Sequence, residues 1–203
     1  KKTTSIGVII PDISNNLYAE LTRGIEDIAT MYRYNIILSN SDQNEVKELE
    51  LLDTMLGKQV DGIVMMSDHV TDKIASAIRQ SPVPVVLAGS IINDSSIPSV
   101  NIDYFQAAMD AIQLFINKGH KEIAFVSGPL EYTINGEHKL GAYKQALQQA
   151  NIEINEQLID ATDGTYDEAL LSWESFVQKA HVPTAIFAGS DEIALGVIHA
   201  IQD

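Results

Sequence analysis

The stretch Ser5-Ile-Gly-Val-Ile-Ile-Pro-Asp-Ile-Ser-Asn-Asn-Leu-Tyr-Ala-Glu-Leu21 contains a fully apolar strand, a polar loop and the start of a helix. The strand stops at Pro11, the loop covers residues 12–16, and the helix begins near Leu17. In open α/β folds this order places the loop at the carboxyl edge of a parallel sheet, where such folds bind ligands. We therefore expect the first polar loop to face a ligand.

The same strand–helix unit recurs along the chain. The strands are apolar on both faces, as in Ile123-Ala-Phe-Val-Ser127, which is typical of buried parallel strands. Alternation of strands and helices implies right-handed crossovers and a doubly wound α/β fold. Strands are predicted at 6–10, 35–39, 62–66, 85–88, 100–102, 123–127 and 185–188, with a weak one at 158–159. Helices are predicted at 17–32, 45–56, 71–80, 104–117, 137–150, 167–178 and 192–201.

A boundary between two lobes is predicted at Ser127-Gly-Pro-Leu130, where a buried strand runs into a Gly-Pro pair and a polar stretch follows. The alternative is a long loop inside one domain. The boundary divides the chain into an N-terminal lobe, residues 1–128, and a C-terminal lobe, residues 129–203. We expect the second lobe to be incomplete, since so few strands would leave a sheet edge uncovered.

Composition excludes several classes of protein. The 203 residues are 45% hydrophobic and 20% charged, and no apolar run approaches the ~20 residues that span a bilayer. There is no cysteine, which excludes disulfides and thiolate metal sites and fits a cytoplasmic location. With a net charge of −15, these residues alone are expected to bind neither DNA nor an anionic membrane.

Catalytic, cofactor and metal motifs are absent from the sequence. It has no Gly-x-Gly-x-x-Gly, no P-loop and no Gly-x-Ser-x-Gly element. The histidines are scattered without metal-ligand spacing; they are His69, His120, His138, His181 and His199. We therefore expect neither an enzyme nor a bound metal or cofactor.

Candidate ligand-binding residues lie where strands are expected to end. Tyr18 follows the first polar loop, so its ring can face a ligand or pack on the sheet, while Asp12, Ser14 and Asn16 offer hydrogen bonds. Asp103 and Asp191 each precede a helix. Capping of that helix is the simpler role for both, and it is compatible with ligand binding.

The far end of the first helix carries a second pattern. Met31 and Tyr32 are adjacent, and Asp27 lies one turn earlier. Exposed Met and Tyr side chains are common in protein interfaces, although the same residues could instead fasten the helix to the sheet.

Taken in order, the sequence resembles the effector core of LacI/GalR-type bacterial repressors along essentially its whole length. The resemblance is carried by Val8-Ile-Ile-Pro-Asp-Ile-Ser-Asn-Asn-Leu-Tyr-Ala-Glu-Leu21, Gly24-Ile-Glu26, Tyr34-Asn-Ile-Ile-Leu-Ser-Asn40, Val60-Asp-Gly-Ile-Val64, Lys118-Gly-His-Lys-Glu-Ile-Ala-Phe-Val-Ser-Gly-Pro129, Pro183-Thr-Ala-Ile-Phe187 and Asp191-Glu-Ile-Ala-Leu-Gly196. It implies two Rossmann-like lobes of parallel sheet with flanking helices, as in periplasmic binding proteins, and a ligand cleft between them. It also implies homodimers that bind operator DNA through an N-terminal helix-turn-helix domain, which these residues do not include.

The resemblance adds residues to the candidate ligand site and also shows where this chain departs from sugar-sensing members of the family. Where many sugar-sensing members have an arginine, this chain has Lys139, and the ring that stacks on the sugar falls near Gly164 or Tyr166. Since lysine lacks the fork geometry of arginine, we expect a poor high-affinity sugar site. The predicted effector cleft comprises Asp12, Ser14, Asn16, Tyr18, Asp103, Lys139, Tyr166, Ser190 and Asp191.

Within the family, the stretch Gly24-Ile-Glu-Asp-Ile-Ala-Thr-Met-Tyr32 is most similar to regulators of carbon catabolite repression. That similarity implies serine-phosphorylated HPr or its relative Crh as corepressor, with phosphosugars as adjuncts. The implied docking face includes Asp27, Met31 and Tyr32, with further phosphate contacts beyond Asp203. The alternatives are an extracytoplasmic sugar-binding protein of a transporter, which shares the fold, and a metabolic α/β enzyme.

Overall fold

Two structural units make up the chain in the computed structural model, which describes residues 2–202. The division between them falls between Ile102 and Asp103. Each unit contains its own parallel sheet with helices packed against it. The predicted fold class, two lobes of parallel sheet with flanking helices, is therefore confirmed.

In the first unit, residues 2–102 form a parallel sheet with the strand order β2-β1-β3-β4-β5. The strand β1 lies between β2 and β3, with Val8 opposite Leu38 on one side and Val64 on the other. The elements are β1 (Ser5–Ile10), α1 (Asn16–Met31), β2 (Asn35–Asn40), α2 (Glu45–Gly57), β3 (Gly62–Met65), α3 (Asp72–Gln80), β4 (Val85–Ala88) and β5 (Ser99–Val100).

The strand β1 is buried on both faces of the first sheet, and its successive residues alternate between them. Ile9 packs into a cluster with Met55 of α2 and Ile74 of α3. Val8 and Ile10 pack on the opposite face, against α1. This alternation follows from the two-residue period of a strand. It explains why an apolar run covered by helices on both sides has no polar positions.

In the second unit, residues 103–202 form a parallel sheet with the order β7-β6-β8. The elements are α4 (Tyr104–Asn117), β6 (Ile123–Ser127), a π-helix (Ile134–Lys139), α5 (Leu140–Gln149), a 3-10 turn (Glu156–Leu158), β7 (Ile159–Ala161), α6 (Tyr166–Gln178), β8 (Ala185–Ala188) and α7 (Asp191–Gln202).

Aromatic side chains fill the core of the second unit on one face of β6. Phe125 stacks on Phe187 with ring centroids 5.5 Å apart, and Tyr143 of α5 contacts Phe125 at 5.4 Å. The Tyr143 hydroxyl donates a hydrogen bond to the Ile123 carbonyl oxygen at 2.7 Å. Burial raises the pKa of Tyr143 above its usual value. The other face of β6 packs against α6 and α7.

The predicted boundary at Gly128 is wrong. The strand β6, assigned by that prediction to the first lobe, is the middle strand of the second sheet, paired with β7 and β8. A Gly-Pro pair after a buried strand marks the end of a strand equally well whether the chain leaves the lobe or stays in it. The predicted helix at 137–150 also differs, since its first turn belongs to the π-helix and α5 begins at Leu140.

The helices α6 and α7 pack closely because a glycine lies between them. A methyl group at Gly196 would lie 2.5 Å from the Tyr166 carbonyl oxygen and 2.8 Å from the Ala169 Cβ atom. We therefore expect Gly196→Ala to lower the free energy of unfolding by about 1–3 kcal/mol, measured by urea denaturation.

Gly24→Ala in α1 is the matched control, since a methyl group there meets nothing within 4 Å among the described residues. It should raise the free energy of unfolding by about 0.5–1 kcal/mol because glycine disfavours a helix interior. Equal effects of the two substitutions would contradict the close packing of α6 on α7.

Candidate functional site

The polar loop at the carboxyl edge of the first sheet is held by its own side chains. The Asp12 carboxylate accepts a hydrogen bond from the Ser14 amide at 2.8 Å, and that bond lowers the pKa of Asp12. The Asn15 side chain caps α1 by accepting from the Leu17 amide at 3.0 Å. Asn16 is the first residue of α1 and donates to Glu20 at 2.9 Å. Asp12, Ser14 and Asn16 are exposed, so the loop is ordered and also accessible.

Tyr18 packs on the first sheet, which is one of the two alternatives predicted for it. It is only 9% exposed and contacts the cluster that contains Val8, Ile10 and Met66. Its hydroxyl donates a hydrogen bond to the Asp68 carboxylate at 2.5 Å. The structure thus adds Asp68 to the candidate site. The signal was its position after β3, which matches that of Asp12 after β1.

At the carboxyl edge of the second sheet, Lys139 is tied to the segment that follows β8. Its ammonium group donates to the Gly189 carbonyl oxygen at 2.7 Å and lies 5.7 Å from the centre of the Tyr104 ring. This geometry combines a charged hydrogen bond with a cation–π contact. Lys139 therefore lies at the edge where the sequence predicts a ligand site, and Tyr104 is a neighbour that sequence reasoning missed.

Helix capping explains some of the predicted acidic residues. Asp103 accepts a hydrogen bond from the Gln106 amide at 2.9 Å and caps α4, as predicted. The prediction that Asp191 caps α7 is wrong, because the Ser190 hydroxyl accepts from the Ile193 amide at 3.2 Å. Asp191 is instead the exposed first residue of α7, where the positive end of the helix dipole stabilises its negative charge.

The Tyr166 side chain is directed to α7. Its hydroxyl is hydrogen-bonded to His199, the two rings lie 6.0 Å apart, and its amide donates to Glu192 at 3.2 Å. These contacts fix the ring against a helix, so stacking on a ligand would require them to be given up. Its assignment to the effector site stays a prediction.

Three glycines bring backbone segments together at the carboxyl ends of β6, β7 and β8. Gly128 lies close to Gly164, which has a φ of +88° that side chains rarely adopt. A methyl group at Gly189 would lie 3.2 Å from the Cα atom of Ser127. The floor of this edge is therefore made of backbone, and nearby side chains such as Lys139 supply its chemistry.

The outward face of α1 carries an apolar stripe, defined as Leu17, Leu21, Ile28 and Met31. All four are exposed, and their spacing places them on one face of the helix, distinct from the buried face of Tyr18, Thr22 and Ala29. Met31 is 70% and Tyr32 is 69% exposed. They do not fasten α1 to the sheet, which leaves the interface interpretation for this end of the helix.

Asp27 is exposed beside the stripe and forms an ion pair with Arg23 one turn earlier, at 3.1 Å. An exposed pair at this spacing contributes only a few tenths of a kcal/mol. Asp27 is therefore accessible at small cost to a partner that binds the end of α1.

Across residues 2–202, no cluster of three or more His, Cys, Asp or Glu side chains is suited to holding a metal ion. Among the helices in that same range, none is both long enough and apolar enough to cross a membrane.

Comparison with known proteins assigns the chain to a family. The family model of periplasmic binding proteins and the sugar-binding domain of the LacI family matches residues 3–203. The chain belongs to this family.

Its relatives include catabolite control protein A of Priestia megaterium, 59% identical over the whole chain, and that of Staphylococcus xylosus, 45% identical. The chain spans 61% of the length of each of these two relatives. The crystal structure of the transcription regulator CcpA of Lactococcus lactis superimposes with a TM-score of 0.92 at 40% identity, covering all of this chain and 73% of that one.

The hydrogen bond from Tyr18 to Asp68 is testable by removing the hydroxyl group alone. Tyr18→Phe should lower the free energy of unfolding by about 1 kcal/mol, because the ring stays packed while the Asp68 carboxylate loses its donor. Urea denaturation measures the change. Tyr32→Phe is the control, and its exposed ring predicts no measurable effect. Identical stability of both variants would contradict a role for this bond.

Proposed function

We propose that this chain is the effector-sensing and dimerisation core of a cytoplasmic bacterial regulator of transcription that mediates carbon catabolite control. The observation that carries the proposal is the extensive identity to catabolite control proteins along the entire chain. The regulator would bind operator DNA through a separate basic domain. The acidic charge of these residues fits such a division, since a net charge of −15 repels phosphate backbones.

The proposed corepressor is serine-phosphorylated HPr or Crh, docking at the end of α1. Support comes from Met31 and Tyr32, two large side chains that are mostly exposed at this end, with the Asp27 carboxylate beside them. Aromatic and methionine side chains are enriched in protein interfaces. A partner that binds the DNA-binding conformation more tightly shifts the population towards it, which makes docking regulatory.

Phosphosugars are the proposed adjunct effectors, bound by the residues at the carboxyl edges of the sheets. Lys139 supports this role because an ammonium group can bind phosphate, and this one is already positioned by Gly189 and Tyr104. Ser190 and Asp191 follow Gly189 in sequence, and the exposed Asp12, Ser14, Asn16 and Asp103 offer hydrogen bonds. Since Lys139 already donates to a carbonyl and Tyr166 already contacts α7, weak rather than tight sugar binding is the expected behaviour.

A homodimer is proposed to form through Leu17, Leu21 and Ile28 of the α1 apolar stripe, which leaves Met31 to the corepressor. Three exposed apolar side chains on one face of a helix are unfavourable in water and are well suited to burial against a second copy. Among residues 2–202 the stripe belongs to none of the buried apolar clusters, whereas the inner face of α1 packs on the sheet of the first unit.

The dimer prediction is tested by placing a charge on the stripe. Ile28→Asp should give a monomer in sedimentation velocity, because an unpaired carboxylate cannot be buried in an apolar contact without a large cost. Leu114→Asp is a matched control, since Leu114 on α4 is as exposed as Ile28, at 54%. A dimer that persists with Ile28→Asp would rule out the stripe as the interface.

The corepressor prediction is tested on the complete gene product with purified serine-phosphorylated HPr. Tyr32→Ala should weaken binding at least tenfold in calorimetric titration, because an exposed aromatic anchor at an interface contributes about 2 kcal/mol or more. The circular dichroism spectrum should not change. Leu114→Ala is the control for loss of an exposed apolar side chain. Unchanged affinity of the Tyr32 variant would remove this residue from the interface.

The transporter-associated alternative shares the fold but is not favoured, because the relatives matched along the whole chain are regulators. The upstream reading frame separates the two functions. A helix-turn-helix segment before Lys1 supports the regulator, whereas an apolar signal sequence supports the sugar-binding protein.

A further inference from the structure

A carboxyl group is buried in the first unit, and among residues 2–202 it forms no ion pair with a cation. Glu48 lies in the first turn of α2 and is only 2% exposed, and the serines nearest to it in the hydrogen-bond network, Ser67 and Ser90, are as deeply buried. A buried ionised carboxylate is costly unless it is paired or fully hydrogen-bonded. The site therefore raises the question of the charge that Glu48 carries.

The number of protons available in the hydrogen-bond network around Ser67 determines whether Glu48 is neutral or charged. The Ser67 hydroxyl lies 3.0 Å from Glu48 Oε1 and 2.9 Å from the His69 carbonyl oxygen, and it has one proton for two acceptors. The Ser90 hydroxyl cannot supply a second one, because it donates to the Ser67 carbonyl oxygen at 2.5 Å while it accepts from the Ser67 amide at 3.1 Å. Both contacts of Ser67 are satisfied only when the carboxyl group of Glu48 donates.

We propose that Glu48 is a neutral carboxylic acid in the folded protein and that its ionisation at higher pH loosens the segment of residues 67–71 after β3. In the neutral state the carboxyl group donates to the Ser67 hydroxyl, and that hydroxyl donates to His69. Ionisation removes the first proton, so the Ser67 hydroxyl can donate either to the carboxylate or to the His69 carbonyl oxygen, and one of these two hydrogen bonds is lost.

The charged groups around Glu48 favour its neutral form. Burial raises the pKa of Glu48, and the negative charges of Glu45 and Asp68 raise it further, although a proton donated by Ser67 to the carboxylate acts in the opposite direction. The cation that α3 brings nearby, Lys73, pairs with Glu45 at 3.2 Å, and the charge of His69 also acts on Glu45. Neither is paired with Glu48.

The segment 67–71 matters because it carries Asp68, the partner of Tyr18. Asp68 accepts from the Tyr18 hydroxyl, and its amide donates to the Gln43 side chain at 3.3 Å. A change in the protonation of Glu48 thus affects the residues at the carboxyl edge of the sheet through the hydrogen bonds of Ser67. The device would make the position of Tyr18 depend on the protonation of a buried carboxyl group.

The test compares the pH dependence of unfolding in the wild type and in Glu48→Gln, whose amide can donate in place of the neutral acid. A raised folded-state pKa means that the stabilisation is complete below pH 4.5, the ordinary value, and is lost as pH rises towards the folded-state pKa. Over that interval the wild-type unfolding constant, divided by that of Glu48→Gln, should increase about tenfold per pH unit.

Glu50→Gln is the control, because Glu50 is exposed on the same helix. It should follow the wild type at every pH. Hydrogen exchange gives the local readout: above the Glu48 titration, amides 67–71 should exchange at least tenfold faster in the wild type than in Glu48→Gln at the same pH. A constant ratio of unfolding constants from pH 4.5 to pH about 8, or a ratio that falls with pH, overturns the proposal, and so does equal exchange.

A direct titration keeps the proposal testable if Glu48→Gln fails to fold. The side-chain carboxyl carbon of Glu48 in the labelled wild-type protein is followed by NMR as pH is raised. A midpoint above 4.5 supports the neutral acid, and a midpoint at or below 4.5 overturns it.

Discussion

The structure of the first unit depends on one constraint, which is that the parallel strand β1 must be covered on both faces. Its residues Val8, Ile9 and Ile10 have no exposed surface, and they alternate between a face covered by α1 and a face covered by α2 and α3. The requirement fixes α1 against the sheet through Tyr18 and Ala29. The opposite side of the same helix is then left with an apolar stripe that the unit does not cover.

Long-range hydrogen bonds hold the carboxyl edges of both sheets. The Tyr18–Asp68 bond and the Lys139–Gly189 bond each join residues 50 positions apart in the chain. The polar groups at these edges order the loops, and under the proposed function they are also the groups that a small polar effector would contact. Local bonds, such as those of Asp12 and Ser190, account for the shape of the loops between them.

The fold could be predicted from the sequence to a large extent, because apolar strands and amphipathic helices have different periods. Each predicted strand and helix has a counterpart in the structure, while the π-helix at Ile134–Lys139 has no sequence period of its own. The division between units could not be predicted from Gly128, since the true division follows a strand of two residues and precedes the cap at Asp103. Short strands carry too few residues to show a pattern.

The candidate site was only partly predictable. The position of a residue after a strand indicates which edge of the sheet it occupies, and this gave the predictions for Tyr18 and Ser190, whereas Lys139 was predicted only from the family resemblance. The partners of these residues depend on tertiary contacts. The sequence therefore gave little indication of Asp68 and Tyr104 as partners, or of the contact between Tyr166 and His199. The exposure of Met31 and Tyr32 was one of two open alternatives until the packing of α1 was known.

The glycines at the ends of β6, β7 and β8 have a consequence for redesign. Because a side chain at Gly164 would need a backbone conformation that side chains rarely adopt, and one at Gly189 would press on Ser127, a library that randomises these two positions would mainly yield destabilised variants. Variation at Tyr104 changes the ring chemistry of this edge and leaves those backbone contacts in place, whereas variation at Lys139 also removes its hydrogen bond to the Gly189 carbonyl oxygen. A biosensor engineered from this scaffold would therefore gain new selectivity from the helices, with the strand termini kept constant.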